Sequence, residues 1–428
     1  MKVLLAPFGS RGDVQPQLLL GEELMRRGHR VSVAAPPNFA GSVEQHGFGF
    51  VPLGQDINEF MLGNSAMTEQ HPARALPRQI ALLRRHLERQ VADMFSVQHD
   101  ADLVVSAGLS FAGKMVADAL AVPHVFCHYT LSGVYSAEYP PAVAPVFGLP
   151  RLANRALWAT VTQAFDLALG GSLNRLRQAR GLAQDRKAWR AIHATETLLA
   201  QDALIGQLSV DSPGHNLQVP AFVPRPADAA PLSDLLERFL RGAGDGLGPP
   251  SPVVYIGFGS MPTVDRARIL QIAVELFEQH GARVILFSSH AEDDGVELPA
   301  GVFSIDDADH ATLFPRVDLL VHHGGAGTTA AALRAGVPQL IVPHIVDQFF
   351  HGRRIAELGL GPAPVTKAAL SADVIARALK DRFQYWAKTQ AARASVSAEG
   401  GVRQAADHLE HLVHTPQPSP RRPFAIKK

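Results

Sequence analysis

The chain has one cysteine in 428 residues, and no surplus of charge of either sign: Lys+Arg and Asp+Glu both number 40. A lone thiol, Cys127, cannot close an intrachain disulfide, which suits a reducing compartment. A zero balance provides no long-range field to gather nucleic acid or an acidic membrane. Long hydrophobic runs are missing too, since none approaches the roughly 18 apolar residues of a membrane span. The opening stretch, residues 1–8, carries one lysine and an apolar run too short for a signal peptide. No Cys/His spacing of a zinc site occurs. These absences predict a soluble, cytoplasmic protein with no transmembrane segment, no nucleic-acid partner and no bound metal.

What is present is a regular alternation of apolar runs and amphipathic stretches. Strands are expected at 3–6, 30–35, 49–53, 101–107 and 124–129, with a helix at 17–28 closed by Arg26-Arg27-Gly28. From about 211 to 252 the pattern fails, giving way to Gly242-Ala243-Gly244-Asp245-Gly246 and Pro249-Pro250-Ser251-Pro252. Alternation resumes with a strand at 253–256, a helix at 268–280 and a strand at 284–287. The length calls for two domains of about 200 residues each. The expected division is an N-terminal domain, 1–212, a linker, 213–252, and a C-terminal domain, 253–395. After these come a helix within 396–414 that packs back on the N-terminal half and a disordered, proline-rich tail, 415–428. Strand–helix alternation means parallel sheets with right-handed crossovers, so the fold class is α/β with two doubly wound, Rossmann-like domains across a cleft.

The segment His322-His323-Gly324-Gly325-Ala326-Gly327-Thr328-Thr329 is the most informative stretch. It follows the apolar run 317–321 and precedes Ala330-Ala331-Ala332-Leu333-Arg334-Ala335-Gly336, a strong helix former closed by Gly336 and Pro338. It is therefore a strand-to-helix turn whose glycines let backbone approach a ligand. The free N–H groups and positive dipole end of the helix favour an anion such as a diphosphate. Eighteen residues on stand Asp347-Gln348. A dinucleotide-dependent oxidoreductase would need G-x-G-x-x-G after the first strand and an acidic residue closing the second. The chain has Gly9-Ser10-Arg11-Gly12 and Ala34-Ala35-Pro36-Pro37 instead.

The run from Phe314-Pro315-Arg316-Val317 through the His-Gly segment, Ala335-Gly336-Val337-Pro338, Pro343 and Asp347-Gln348 to Gly359-Leu360-Gly361 resembles the nucleotide-sugar-binding half of glycosyltransferase family 1. More than three hundred residues earlier, Gly9-Ser10-Arg11-Gly12-Asp13-Val14-Gln15-Pro16 resembles the acceptor-side loop of the branch that includes sterol and antibiotic glycosyltransferases. The resemblance implies the GT-B arrangement of two such domains.

It also implies site roles. Asp13 matches the residue that takes the proton from the acceptor hydroxyl as it attacks the anomeric carbon. The other reading of Asp13 is a cap for the helix expected near Gln17, for which Asp and the nearby Pro16 are suited. Donor binding falls to Ser10, Ser260, His323, Gly325, Gly327, Thr328, Asp347 and Gln348. His323 meets the diphosphate, and Asp347 and Gln348 meet the sugar hydroxyls. His322 ends its strand and reads as a satisfied core histidine. Asp307-Ala308-Asp309 reads as a solvated loop rather than a metal motif, and His351 stands where relatives usually have Asn or Trp. The aromatic, proline-rich stretch 125–147 suits an apolar acceptor pocket, with Phe126, Tyr129, Tyr135 and Tyr139 as its residues. Ile80, Leu83, Leu87, Val91 and Met94 recur at helical spacing, with Arg78, Arg84, Arg85 and Arg89 on other faces.

The function implied is an inverting, metal-independent hexosyltransferase. It needs no cofactor beyond its UDP- or TDP-hexose co-substrate, and its partner is an apolar hydroxylated small molecule such as a polyketide or macrolide. The alternatives are a sterol or lipid glucosyltransferase in peripheral contact with a membrane, or a non-catalytic auxiliary protein of the same fold.

Overall fold

A computed structural model describes residues 1–57, 59, 72–144, 146–193, 196–212, 214–225, 228–242, 251–259, 265–287 and 298–415, with backbone alone for 72–77, 190 and 191. Seven parallel strands form the first sheet in the order β3-β2-β1-β4-β5-β6-β7. They are β1 (Lys2–Phe8), β2 (Arg30–Ala35), β3 (Gly49–Pro52), β4 (Leu103–Gly108), β5 (His124–His128), β6 (Glu196–Ala200) and β7 (His215–Val219). Five more, β8 (Val253–Gly257), β9 (Arg283–Phe287), β10 (Val302–Ile305), β11 (Leu319–His322) and β12 (Gln339–Ile341), form a second parallel sheet in the order β10-β9-β8-β11-β12.

Helices cover both faces of each sheet, so successive strand residues enter different cores. Val3 and Leu5 belong to one cluster, Leu4, Ala6 and Phe8 to another. Val254 and Ile256 lie on one side of the second sheet, Val253 and Tyr255 on the other. Each sheet reverses its strand order once, between β1 and β4 and between β8 and β11. Those are the places where the crossover helices leave in opposite directions and a crevice opens at the carboxyl ends of the strands.

The expected strands all occur, with ends moved by one or two residues. The first helix departs further, running Arg11–Arg26 rather than 17–28. Ser10 and Asp13 form a capping box that starts it six residues early, in spite of Gly12 and Pro16. The stretch expected to be linker, 213–252, holds β7 and the helix Asp234–Arg241. β7 is an edge strand with only Val219 buried, so it lacks the apolar run that marks its neighbours. The helix is a short one with a two-residue buried stripe, Leu236 and Leu240.

The chain then returns. The helix Val402–His414 places Ala405, Ala406, Leu409 and Leu412 in the core of the first sheet beside Leu18 and Leu24. Arg27 bonds Asp407 at 2.7 Å and Glu410 at 3.0 Å, and His29 Nε2 meets Glu410 at 2.7 Å. Residues 416–428, most of the tail expected to be disordered, lie outside the described residues. In the helix Pro72–Met94, Leu87, Val91 and Met94 are buried and Arg84, Arg85 and Arg89 exposed, as the spacing predicts. No helix among the described residues is long and apolar enough to cross a membrane.

Candidate active site

The two reversal points carry the two sequence motifs. At the first, Phe8 pairs with Gly108 across β1 and β4, and the chain passes through Gly9 to Ser10, the N-cap of the first helix. The Ser10 N–H donates to Asp13 Oδ2 at 2.9 Å, and Ser10 Oγ accepts from the Gly12 N–H at 3.3 Å. The Asp13 carboxyl lies against two glycines. A methyl group built on Gly9 would stand 2.1 Å from Oδ2, and one on Gly108 would stand 3.0 Å from Oδ1. Gly108 also has φ +65, a conformation that L side chains resist. Burial pushes the Asp13 carboxyl up to about 7; the nearby Asp347 carboxylate adds to the rise, and the Ser10 hydrogen bonds oppose it.

At the second reversal, His322 pairs with Gly257 across β11 and β8. His322 is fully buried and held at both ring nitrogens: Nε2–H donates to Gln339 Oε1 at 3.0 Å, and Nδ1 accepts from the Gly324 N–H at 3.1 Å. It is the core histidine that its place at a strand end suggests. The next residue differs. His323 sits between Gly259 and Gly325, where built methyl groups would approach its ring to 3.3 and 2.4 Å. Its Nδ1 is buried without a hydrogen-bond partner. Burial, with the charges of His344 and His351, pushes it down to about 4, so the ring is neutral at physiological pH.

Gly325 is the N-cap of the helix Ala326–Ala335, with no side chain on the cap, so the first-turn N–H groups of Ala326, Gly327 and Thr328 face outward for an anion. Gly327 is exposed and Thr328 partly so. Asp347 is the N-cap of Gln348–Leu358 but makes no capping hydrogen bond, which leaves its carboxylate for the cleft. Burial raises its pKa, and His351, 4.0 Å away, works against the rise.

Gln348 is turned inward and 4% exposed, its Oε1 accepting from the N–H groups of His344 at 2.7 Å and Ile345 at 3.1 Å. Through that oxygen it braces the loop that carries Asp347. His351, read from sequence only as a departure from relatives, donates from Nδ1 to the Gly324 carbonyl at 2.7 Å and ties this loop to the glycine turn. Its spacing of four from Asp347 was the available signal. Gly108, equally unforeseen, was signalled by its place at the end of an apolar run.

Ser260 lies outside the described residues. In the run Asp307-Ala308-Asp309, Asp309 accepts from the N–H groups of Ala311 at 2.7 Å and Ala230 at 2.8 Å, while Asp307 meets Arg11 at 3.4 Å.

The acceptor residues scatter. Phe126 is 2% exposed in the core, its ring against His128 and His193. The period of two along β5 turns Phe126 to one face and Cys127 to the other, which the aromatic count alone does not reveal. Tyr139 packs edge-on against Phe350 at 5.4 Å and so joins the two halves. Tyr135 leans on Trp158. Only Tyr129 reaches the site, donating its OH to the Asp13 carbonyl at 3.3 Å and accepting from Gln17 Nε2 at 2.9 Å.

The halves are joined beside this site by a bidentate ion pair, Arg334 to Asp202 at 2.8 and 2.9 Å, with Asp202 4% exposed. Arg354 adds a bond to the Ile205 carbonyl at 2.7 Å.

Comparison with known proteins agrees with this geometry. Residues 3–135 match the glycosyltransferase family 28 N-terminal domain, and 271–411 match the C-terminal domain of the erythromycin biosynthesis protein CIII-like family. The chain is 31% identical to a sterol 3-beta-glucosyltransferase of Arabidopsis thaliana, over 98% of its own length and 69% of the relative's. It is 32% identical to the vancomycin aglycone glucosyltransferase of Amycolatopsis orientalis, over 85% and 86%. The solved structure of glycosyltransferase VinC in complex with dTDP superposes with a TM-score of 0.67 at 23% identity, covering 96% of this chain and 99% of that one. The chain is accordingly a GT-B enzyme of glycosyltransferase family 1, a hexosyltransferase in the branch that unites sterol glucosyltransferases with antibiotic glycosyltransferases.

Proposed function

We propose that the enzyme inverts the anomeric centre while moving a hexose from a UDP- or TDP-sugar to a hydroxyl of an apolar small molecule, without a metal ion and with Asp13 as the general base. The observation that carries the proposal is the Asp13 carboxyl, held near neutrality in a glycine-walled notch at one strand-order reversal and sensing the charge of Asp347 from the other half. A base poised near the working pH is what proton abstraction from an alcohol needs.

In this reading the diphosphate lies at the N-terminus of Ala326–Ala335, against Gly325, Gly327 and Thr328. His323, a neutral imidazole, gives it one N–H. Asp347 accepts hydrogen bonds from the sugar diol, and Gln348 and His351 keep Asp347 in place. Asp13 takes the acceptor's proton, the acceptor oxygen bonds to C1 from the open face, and the C1–O bond to the diphosphate breaks with the electron pair leaving on phosphate. The helix terminus and His323 meet the charge that develops there. The dTDP bound by VinC favours a nucleoside diphosphate donor. A sterol or lipid acceptor at a membrane surface is the second reading, favoured by the sterol glucosyltransferase relative.

The test is to incubate purified enzyme with UDP- and TDP-hexoses and separate sterol and polyketide acceptors, followed by mass spectrometry. A gain of one hexose on an acceptor supports the reading and picks between its two forms. Consumption of no donor, with any acceptor, sinks both.

A further inference from the structure

The notch around Asp13 is held from behind. Gly108, whose backbone lies against Asp13 Oδ1, leads into the loop Leu109, Ser110 and Phe111, of which Ser110 and Phe111 are buried. The Leu109 N–H donates to the Phe8 carbonyl at 2.8 Å. Two further backbone groups of the loop, the Leu109 carbonyl and the Phe111 N–H, are met by one side chain from the helix Pro72–Met94. Gln90, fully buried, donates from Nε2 to the Leu109 carbonyl at 2.9 Å and accepts at Oε1 from the Phe111 N–H at 2.7 Å. A carbonyl only accepts and an N–H only donates, so the amide sits one way round. An ionised carboxylate there has no N–H for the carbonyl, and an apolar chain leaves two buried backbone groups unmatched, which folded proteins rarely tolerate.

His86, one helical turn before Gln90, completes the brace. Its Nε2 accepts from Gln90 Nε2 at 2.6 Å, and its ring centre lies 4.2 Å from that of Phe8 and 5.5 Å from that of Phe111. Burial pushes His86 down to about 4, so it stays neutral near physiological pH. One helix thus fixes both segments that close the notch, Phe8 just ahead of Gly9 and the loop just after Gly108.

We propose that Gln90 is a positioning residue for sugar transfer: its amide sets the 109–111 loop and so keeps the Gly108 wall closed on the Asp13 carboxyl. The inference rests on the reading of Asp13 as the base. The link from Gln90 to that carboxyl is short. A methyl group built on Gly108 would stand 3.0 Å from Asp13 Oδ1, so a loop displaced by the width of a water opens the carboxyl to solvent. Burial is the largest cause of the raised Asp13 value, which falls when water enters. Among the described residues, the titratable groups that act on Asp13 are Asp347 from the other half and Tyr129 after β5, and Gln90 bonds neither.

The experiment compares the full native chain with Gln90→Met and with Val91→Ala, a buried neighbour on the same helix whose side chain makes no hydrogen bond. The donor is UDP- or TDP-glucose, and the acceptor is the sterol or polyketide alcohol that gains a hexose in the assay above. Gln90→Met should lower kcat about tenfold to a hundredfold, as a misplaced reacting group does. It should also move the acid midpoint of kcat/KM down by about one pH unit, a fraction of what full burial imposes, with donor KM unchanged. Val91→Ala should lower the melting temperature and keep the native midpoint. Should Gln90→Met not fold, Gln90→Asn, a methylene shorter and able to keep one of the two bonds, replaces it, with the same changes expected in smaller measure. A native kcat and midpoint in the folded Gln90 variant, or an equal shift in Val91→Ala, overturns the assignment and leaves Asp13 as the base. Absence of an acid limb in the native enzyme, or native turnover by Asp13→Asn, defeats the reading of Asp13 and this inference with it.

Discussion

Ser10 and Asp13 hold one another at the start of the first helix, the Ser10 N–H on Asp13 Oδ2 at 2.9 Å, so the proposed base is also the third residue of a capping box. Of the two readings that the sequence set against each other, the cap is observed, and the proposed base would be the same carboxylate. They separate by substitution. Asn can accept the Ser10 hydrogen bond, so Asp13→Asn should keep its melting temperature. It cannot take a proton, and turnover of an alcohol acceptor should fall about 10²–10⁴-fold. Near-normal turnover by the folded variant would remove Asp13 from the mechanism.

The pH profile follows from the Asp13 carboxyl at about 7. Below that value it is protonated and cannot act, so kcat/KM should fall tenfold per pH unit on the acid side and level off above. His323, at about 4, stays neutral through this window and adds no limb. Because Asp347 raises the Asp13 value, Asp347→Asn should move the midpoint to lower pH as well as weaken donor binding. An unmoved midpoint would mean that another group titrates. The same elevation makes the folded state bind this proton more tightly than the unfolded chain does. The stability it contributes is complete below the ordinary carboxylate range and is lost as pH rises through about 7.

His323→Ala removes the proposed donor to the leaving diphosphate, for an expected loss of about 2.7–4 kcal/mol in the transition state. Since the ring fills the space between Gly259 and Gly325, the variant should be compared with His323→Gln, which keeps an N–H donor and most of the volume. Single-turnover rates should rank native, Gln, Ala; equal rates for native and Ala would shift the role to other donors.

Removal of divalent ions with EDTA should leave turnover unchanged if, as proposed, the helix terminus and His323 meet the phosphate charge; Asp309 is engaged as a cap. Activity lost to EDTA and restored by Mg²⁺ or Mn²⁺ would contradict this.

Arg334→Met strands the Asp202 carboxylate in a site 4% exposed. Breaking one side of a buried pair costs about 3–5 kcal/mol, and replacing both sides by apolar groups much less. Chemical denaturation should therefore find Arg334→Met well below the double variant Asp202→Leu/Arg334→Met. Equal stability of the two would place the pair among weakly contributing contacts.

The parts legible in the sequence are those whose physics is local. A strand running into a glycine turn and a helix is written in consecutive residues, so the His323 turn and the parallel sheets could be read directly. Asp347 was found through the family resemblance, since an Asp-Gln pair at a helix start would by itself read as another cap. What escaped was set by distant partners or by strand phase. Asp202 and Arg334 lie 132 residues apart, with nothing in either neighbourhood to announce the pair. Phe126 looked like a pocket aromatic because composition ignores which face of β5 it takes. The early start of the first helix turned on a capping box that competed with Gly12 and Pro16, both ordinary signs of a turn.

The return of Val402–His414 to the first core has a consequence for the order of synthesis. The seventh strand of the first sheet ends at Val219, yet one wall of that sheet's core is the last helix of the described chain. At about 5–20 residues per second, a ribosome takes on the order of ten to forty seconds to travel from that strand to that helix. Throughout the interval the first helix and β7 lack the cover that Val402–His414 brings. The N-terminal half is thus begun first and finished last, and a nascent chain released before Ala405 carries an open hydrophobic face for chaperones to hold.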